Sequence, residues 1–324
     1  MIGIFKQKNP GNALILLIYA LVLKFSMFLH PPIPDRNGNY LYQLVLQALD
    51  AVSRKNNLFY SVLAFLLLFT QATLFNRIFN HVKLLSKPNY LPAMSYILVT
   101  SLLPDWNHFS APLLVNSLLI WTWYRMVSLY NIHNPLSAVF NIGLLTGIIS
   151  LVYLPAVAYL VLAFFALLIM RPFRIREWVM TIIGFTSPYY FLLLFLYLTN
   201  QLSWKNILPV INFAVPGIPR STWITVGIVL LFVPFLIGGI YVQNNLNKLL
   251  IQVRKSWSLL LVFLFVSVIV ILVNRANSYD TWFLTAVPFA AFHSSAYFYP
   301  QHKAVPLLIH WLTVAFILML NYMP

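Results

Sequence analysis

Cysteine is absent from this 324-residue chain and acidic side chains nearly so: five Asp and Glu stand against twenty Lys and Arg. Without cysteine there are no disulfides, no thiolate metal sites, no iron–sulfur clusters and no cysteine nucleophile. Charge of either sign is scarce, at 8% of residues, where an ordinary soluble domain carries about 25%. That few charged groups cannot coat a soluble particle of this size. They can serve the two rims of a helical bundle whose flanks face lipid. Other absences narrow the chemistry. There is no phosphate-cradling glycine loop, no G-x-S-x-G elbow and no dinucleotide fingerprint. No pair among the seven histidines has the i, i+4 spacing of a zinc motif. Lys24 is nearly alone as a charge inside an apolar run, which is poor material for an ion-coupled pump or a charge-selective channel.

What is present is hydrophobic. Residues of the apolar classes make up 61% of the chain, and they gather into runs at 11–29, 58–76, 91–103, 110–128, 136–151, 153–170, 178–199, 222–242, 257–274, 282–299 and 304–322. Since about 20 apolar residues span the hydrocarbon core as a helix, the expected fold is all-α. It is a single polytopic transmembrane bundle over residues 1–324, with about eleven spans. The third and fifth runs are short, as tilted or broken spans are. No run joins a basic start to a small-residue cleavage site, so the first is expected to remain as a signal anchor behind Lys6 and Lys8. Nine Trp and many other aromatics read as interfacial belts.

Orientation follows from the basic residues. With the amino terminus cytoplasmic, thirteen of them fall inside and six outside: Arg36, Arg54, Lys55, Lys205, Arg220 and Arg275. The opposite arrangement inverts that bias. The net charge of +15 therefore reads as contact with anionic lipid headgroups rather than with nucleic acid. The same topology puts Asp35, Asp50, Asp105 and Asp280 in outer loops and only Glu177 inside.

The first outer loop is the richest in signals. His30-Pro31-Pro32-Ile33-Pro34-Asp35-Arg36-Asn37-Gly38-Asn39-Tyr40 forbids a continuing helix. A helical period follows, with Leu41, Leu44, Val45, Ala48, Leu49 and Val52 on one face and Gln43, Gln47, Asp50 and Arg54 on the other. This is the pattern of a helix lying along the membrane surface. Asp35 is thus held just outside the first span. Asp105 occupies a second short link, Pro104-Asp105-Trp106-Asn107-His108. Two outer carboxylates that converge can act as general base and as a metal-binding or orienting partner; a helix cap is the competing reading for Asp105. Arg36, Arg220 and Arg275 are candidates for phosphate contacts at headgroup depth. Arg275 competes with a simple salt bridge to Asp280. His108, Tyr40, Asp280 and the intramembrane His293 complete the cavity candidates. No cofactor is indicated beyond a divalent metal at the acids, and lipids are the expected partners. The histidines otherwise scatter over both faces, against a multi-histidine metal oxygenase.

Three stretches together resemble the glycosyltransferase superfamily whose catalytic domain is a polytopic helical bundle using polyprenyl-linked sugars. They are Pro34-Asp35-Arg36 with the surface helix after it; Gly143 to Pro155 and the apolar helix ending at Arg171-Pro172-Phe173-Arg174; and Arg275 to Asp280 followed by Trp282 to Pro288. The resemblance implies sugar transfer from a polyprenyl-phosphate donor at the outer face, with Asp35 as general base, Asp105 as its partner and Arg275 as a phosphate clamp. It also implies close helix contact at the glycines of the middle hairpin. At closer range, Ile4-Phe5-Lys6, Asn9-Pro10-Gly11-Asn12 and Leu102-Leu103-Pro104-Asp105-Trp106 look like an uncharacterised polytopic family of the Bacteroidota, which implies a bacterial inner-membrane location. A non-catalytic envelope-assembly or lipid-binding scaffold fits the same residues. A small-molecule transporter fits less well, for want of intramembrane charge and of an inverted repeat.

Overall fold

The computed structural model describes residues 2–7, 9–54, 56–200, 222–273, 279–300, 302 and 304–322. Among them every regular element is a helix. In chain order the α-helices are α1 (Ile2–Phe5), α2 (Asn12–Lys24), α3 (Ser26–Leu29), α4 (Tyr40–Ser53), α5 (Asn57–His81), α6 (Leu91–Ser101) and α7 (Ala111–Ser128). They continue with α8 (Leu136–Val152), α9 (Tyr159–Met170), α10 (Ile175–Leu198), α11 (Thr222–Asn245), α12 (Ile251–Val273), α13 (Ala286–Phe298) and α14 (Ala304–Tyr322). Each of the eleven apolar runs corresponds to helix. The first is broken at Phe25 between α2 and α3, and the runs from 153 and 282 open with 3₁₀ turns at Leu154–Ala158 and Tyr279–Thr285. Among the described residues, five helices are long and apolar enough to cross a membrane: α5, α10, α11, α12 and α14.

The centre is built from short helices. Every side chain of α6 is buried, and so are those of α13 up to Tyr297. Around them the long helices present apolar side chains outward, as with Phe191 at 66% and Leu198 at 70% exposure. A surface of this kind is stable against lipid tails and not against water. Lipid gives helices no hydrophobic reason to associate, so close packing and polar ties must hold the bundle. Both are visible. A β-carbon on Gly143 would collide with the Thr181 carbonyl oxygen, and one on Gly184 with that of Phe140. Helices α8 and α10 therefore touch backbone to backbone. A polar network joins α5, α6 and α7: the Tyr96 hydroxyl donates to Gln71 Oε1 at 2.6 Å and accepts from Asn116 Nδ2 at 2.8 Å, while Gln71 Nε2 donates to the Leu113 carbonyl at 2.8 Å.

Helix α4 differs in detail from its expected face. Tyr42, Leu46 and Ser53 point inward, while Leu44 and Val52, expected on one apolar face with Leu41, Val45, Ala48 and Leu49, are exposed at 41% and 72%. The reason is the Tyr42 ring, which stacks on Phe109 at 6.1 Å and turns that edge of the helix to the bundle. The leucine–valine edge is left for an apolar surrounding.

Candidate functional site

One end of the bundle gathers three loops. The backbone N–H of Asp35 donates to the Phe109 carbonyl at 2.9 Å, and that of Asn39 to the Val152 carbonyl at 3.1 Å, so the proline-rich loop is pinned at both ends. Phe109 is held between the rings of Tyr42 and Tyr60. The Tyr42 hydroxyl donates to the Asp35 carbonyl at 2.6 Å. These contacts put His108, next to Phe109, beside Asp35. On the far side Trp106 Nε1 donates to the Tyr279 carbonyl at 3.0 Å, and its ring meets Phe283 edge-on at 5.9 Å. That lays the 3₁₀ turn Tyr279–Thr285 on the turn Pro104–Asn107 and brings Asp280 to His108.

The result is a cluster of Asp35, His108 and Asp280, all half-buried, whose ligating atoms lie within 4.8 Å of one another. His108 Nε2 stands 3.3 Å from Asp280 Oδ1. Asp35 Oδ1 accepts the Asn37 backbone N–H at 3.0 Å, which fixes the carboxylate's direction. Asp105 is exposed and lies outside this trio, but it feels the charges of Asp280 and His108. The carboxyls of Asp35 and Asp105 are both raised above their ordinary range, first by burial and further by Asp280, with His108 opposing. For His108 burial disfavours the charged ring. The hydrogen bond and charge of Asp280, with the charges of Asp35 and Asp105, outweigh it and raise the pKa. His108 and Asp280 thus interact with both acids first singled out, Asp35 within the trio and Asp105 outside it.

Beneath the cluster, Lys24 is buried and donates to Asn107 Oδ1 at 2.7 Å and to the Thr100 carbonyl at 3.0 Å. Beside it runs an apolar groove of about 230 Å³, lined by Leu103, Trp106, Gly227, Leu231, Tyr279 and Trp282 among others. Its outer wall includes Ile228 and Phe232, both exposed, so it opens sideways. Groove and cluster meet at the turn Tyr279–Thr285, where Tyr279 lines the groove and Asp280 belongs to the cluster, and at Trp106, which lines the groove two residues before His108.

Other candidates fall elsewhere. Asp105 caps no helix, since the residue preceding α7 is Ser110. Arg36 is exposed and pairs with Asp50 at 3.5 Å, and Asp50 also accepts from the Tyr60 hydroxyl. Tyr40 begins α4; it is Tyr42, two residues on, that touches the Asp35 backbone. His293 is buried and engages the Leu231 carbonyl at 2.7 Å, a tie between α13 and α11 rather than part of the cluster. Arg220 and Arg275 lie outside the described residues, and with them the Arg275–Asp280 pair. Sequence reasoning passed over Tyr42, Asn107 and the Lys24 tie. A lone lysine in an apolar run is the one signal that could have marked the last of these.

Among the described residues, the fold and site define an all-helical protein with five helices long and apolar enough to cross a membrane and an acid–histidine cluster at one end of the bundle. Beyond that class, the chain matches no protein-family model, no curated protein and no solved structure.

Proposed function

We propose that this is a multi-pass inner-membrane protein of about eleven spans with a cytoplasmic amino terminus. In this reading it transfers a sugar from a polyprenyl-phosphate carrier at the outer face. The observation carrying this reading is the meeting of the charged cluster and the apolar groove: Asp280 and the groove residues Tyr279 and Trp282 share the turn Tyr279–Thr285, and His108 directly follows the turn that carries Trp106. A polar headgroup reaction on a lipid substrate needs that pairing: a place for the chain and, at its mouth, groups that handle phosphate and a proton. The two-to-one excess of basic residues on one side and the resemblance to polyprenyl-sugar transferases support the orientation and the donor class.

Asp105 is the general base in this scheme. It lies beside the cluster, is more exposed than Asp35 or Asp280, and its raised pKa suits proton uptake. The acceptor hydroxyl gives its proton to Asp105 as its oxygen bonds to the sugar's anomeric carbon. The bond from that carbon to the phosphate oxygen breaks, and the polyprenyl phosphate leaves with the electron pair. Protonated His108, supported by Asp280 and Asp35, donates to the donor's phosphate end, with Arg36, Arg220 and Arg275 as outer cationic contacts.

The test uses protein in phosphatidylcholine nanodiscs, with a polyprenyl-phosphate hexose as donor and isolated envelope material as acceptor. Wild type should bind the donor more tightly than phosphatidylglycerol and release polyprenyl phosphate. Asp105→Asn should keep binding and lose release by about 10²-fold or more. Equal binding of the two lipids would overturn the reading. Selective binding without release in wild type would replace it with a lipid-binding scaffold.

A further inference from the structure

Around a first-row divalent ion, donor atoms sit about 2.0–2.2 Å from the metal. Neighbouring donors are then about 3 Å apart and opposite ones about 4.2 Å, as simple geometry on those bond lengths requires. The Asp35, His108 and Asp280 donors, all within 4.8 Å of each other, already approach this spacing. The His108–Asp280 separation of 3.3 Å is long for a charge-assisted hydrogen bond, which runs about 2.7–2.9 Å, and close to a donor–donor edge.

Charge points the same way. Two half-buried carboxylates share this space with a third, Asp105, nearby, and among the described residues no Lys or Arg pairs with Asp35 or Asp280. The nearby Arg36 is turned to Asp50. The histidine can supply at most one positive charge. Like charges brought out of water need a compensating cation. The ligands are also pre-set: the Asp35 carboxylate is aimed by the Asn37 N–H and its backbone by Tyr42, while His108 is anchored by the Phe109 stack and by Lys24 through Asn107. Orientation of this kind by surrounding groups is what metal ligands require.

We propose that Asp35, His108 and Asp280 form a binding site for one divalent cation, with open positions facing the mouth of the groove. One imidazole and two carboxylates suit Mn²⁺ or Zn²⁺ over Ca²⁺. The open positions take phosphate oxygens of the lipid-linked donor; that last step rests on the transfer reading above, whereas the cation site does not. A three-ligand set leaves room for the substrate, as catalytic sites do and closed structural sites do not.

Mn²⁺ titrated into the protein in phosphatidylcholine nanodiscs and followed by electron paramagnetic resonance tests the site. One ion should bind per chain. Asp35→Asn, His108→Gln and Asp280→Asn should each weaken binding by tenfold or more, while Asp50→Asn leaves it unchanged. Pulsed spectra of the wild type should show nitrogen coupling that His108→Gln removes, a signature that misfolding of one variant cannot imitate. No stoichiometric binding, no nitrogen coupling in the wild type, or wild-type affinity in all three variants would overturn the proposal. Two further outcomes separate it from the transfer reading. A bound Mn²⁺ without sugar transfer keeps the cation site and sinks the transfer. Transfer that survives chelation, with no Mn²⁺ signal, does the reverse.

Discussion

The ammonium of Lys24 donates to Asn107 Oδ1 at 2.7 Å, one residue before His108, and to the carbonyl of Thr100 near the end of α6. Helix α2 thereby props the turn Pro104–Asn107, which leads into His108. Lys24→Met keeps the apolar stem and removes the tie, leaving a buried amide oxygen and a buried carbonyl without that donor. A loss of about 2–4 kcal/mol is expected, read as a lower unfolding temperature in detergent. An unchanged temperature would show that the tie is idle.

Trp106 ties the two turns of the site together. Trp106→Ala deletes its hydrogen bond to the Tyr279 carbonyl and its ring contact with Phe283. The expected cost is about 3–5 kcal/mol, as for other buried Trp truncations. Trp106→Phe should recover the packing and part of the stability. Donor-lipid binding should fall in both variants, since Trp106 lines the groove.

The contact of α8 with α10 has no spare volume. Gly184→Val places a side chain against the Phe140 carbonyl and should force the helices apart. The expectation is poor yield and polydispersity on gel filtration. Gly239→Ala, with open space around the added carbon, should behave as wild type. Equal behaviour of the two variants would contradict the packing.

Stability of chelator-treated protein should fall as pH rises from about 5 to 8. Folding raises the pKa of His108, so its contribution is full below the unfolded value of about 6.5 and is lost as pH climbs through the folded value. Asp35 and Asp105 are also raised, and the raised carboxyls act in the same direction from the carboxylate range upward. Asp280→Asn removes the main support for protonated His108 and should flatten the upper part of the curve. Thermal unfolding across a pH series measures both. A rise in stability over this interval would contradict the electrostatic account.

Gly227 lines the groove, and a β-carbon added there would meet Phe316 and Leu103 at ordinary contact distance. Gly227→Ala should be tolerated, while Gly227→Phe should fill the groove and cut binding of a polyprenyl phosphate by an order of magnitude or more, measured by native mass spectrometry. Unchanged binding in the larger variant would place the lipid chain elsewhere.

The sequence by itself determined the helical class, the eleven apolar runs that become helices and the loops where the acids sit. Periodicity and composition are local properties, and a backbone that must satisfy its own hydrogen bonds in lipid has only the helix to form within such runs. Asp35 and Asp105 could be named from their loops alone. That Asp35 joins His108 and Asp280 in one cluster, while Asp105 stays outside it, was decided by tertiary structure. Asp35, His108 and Asp280 come from three loops far apart in the chain, brought together by contacts such as the Trp106–Tyr279 bond and the stack of Tyr42 on Phe109. No spacing in the chain encodes those contacts. The inward edge of α4 was settled the same way: the Tyr42 ring turns the helix so that Leu41, Val45 and Leu49 of the apolar stripe pack against the core and Leu44 and Val52 face outward. His293 followed the same logic, its ring nitrogen drawn to a carbonyl of the neighbouring helix that only the packing of α13 on α11 supplies.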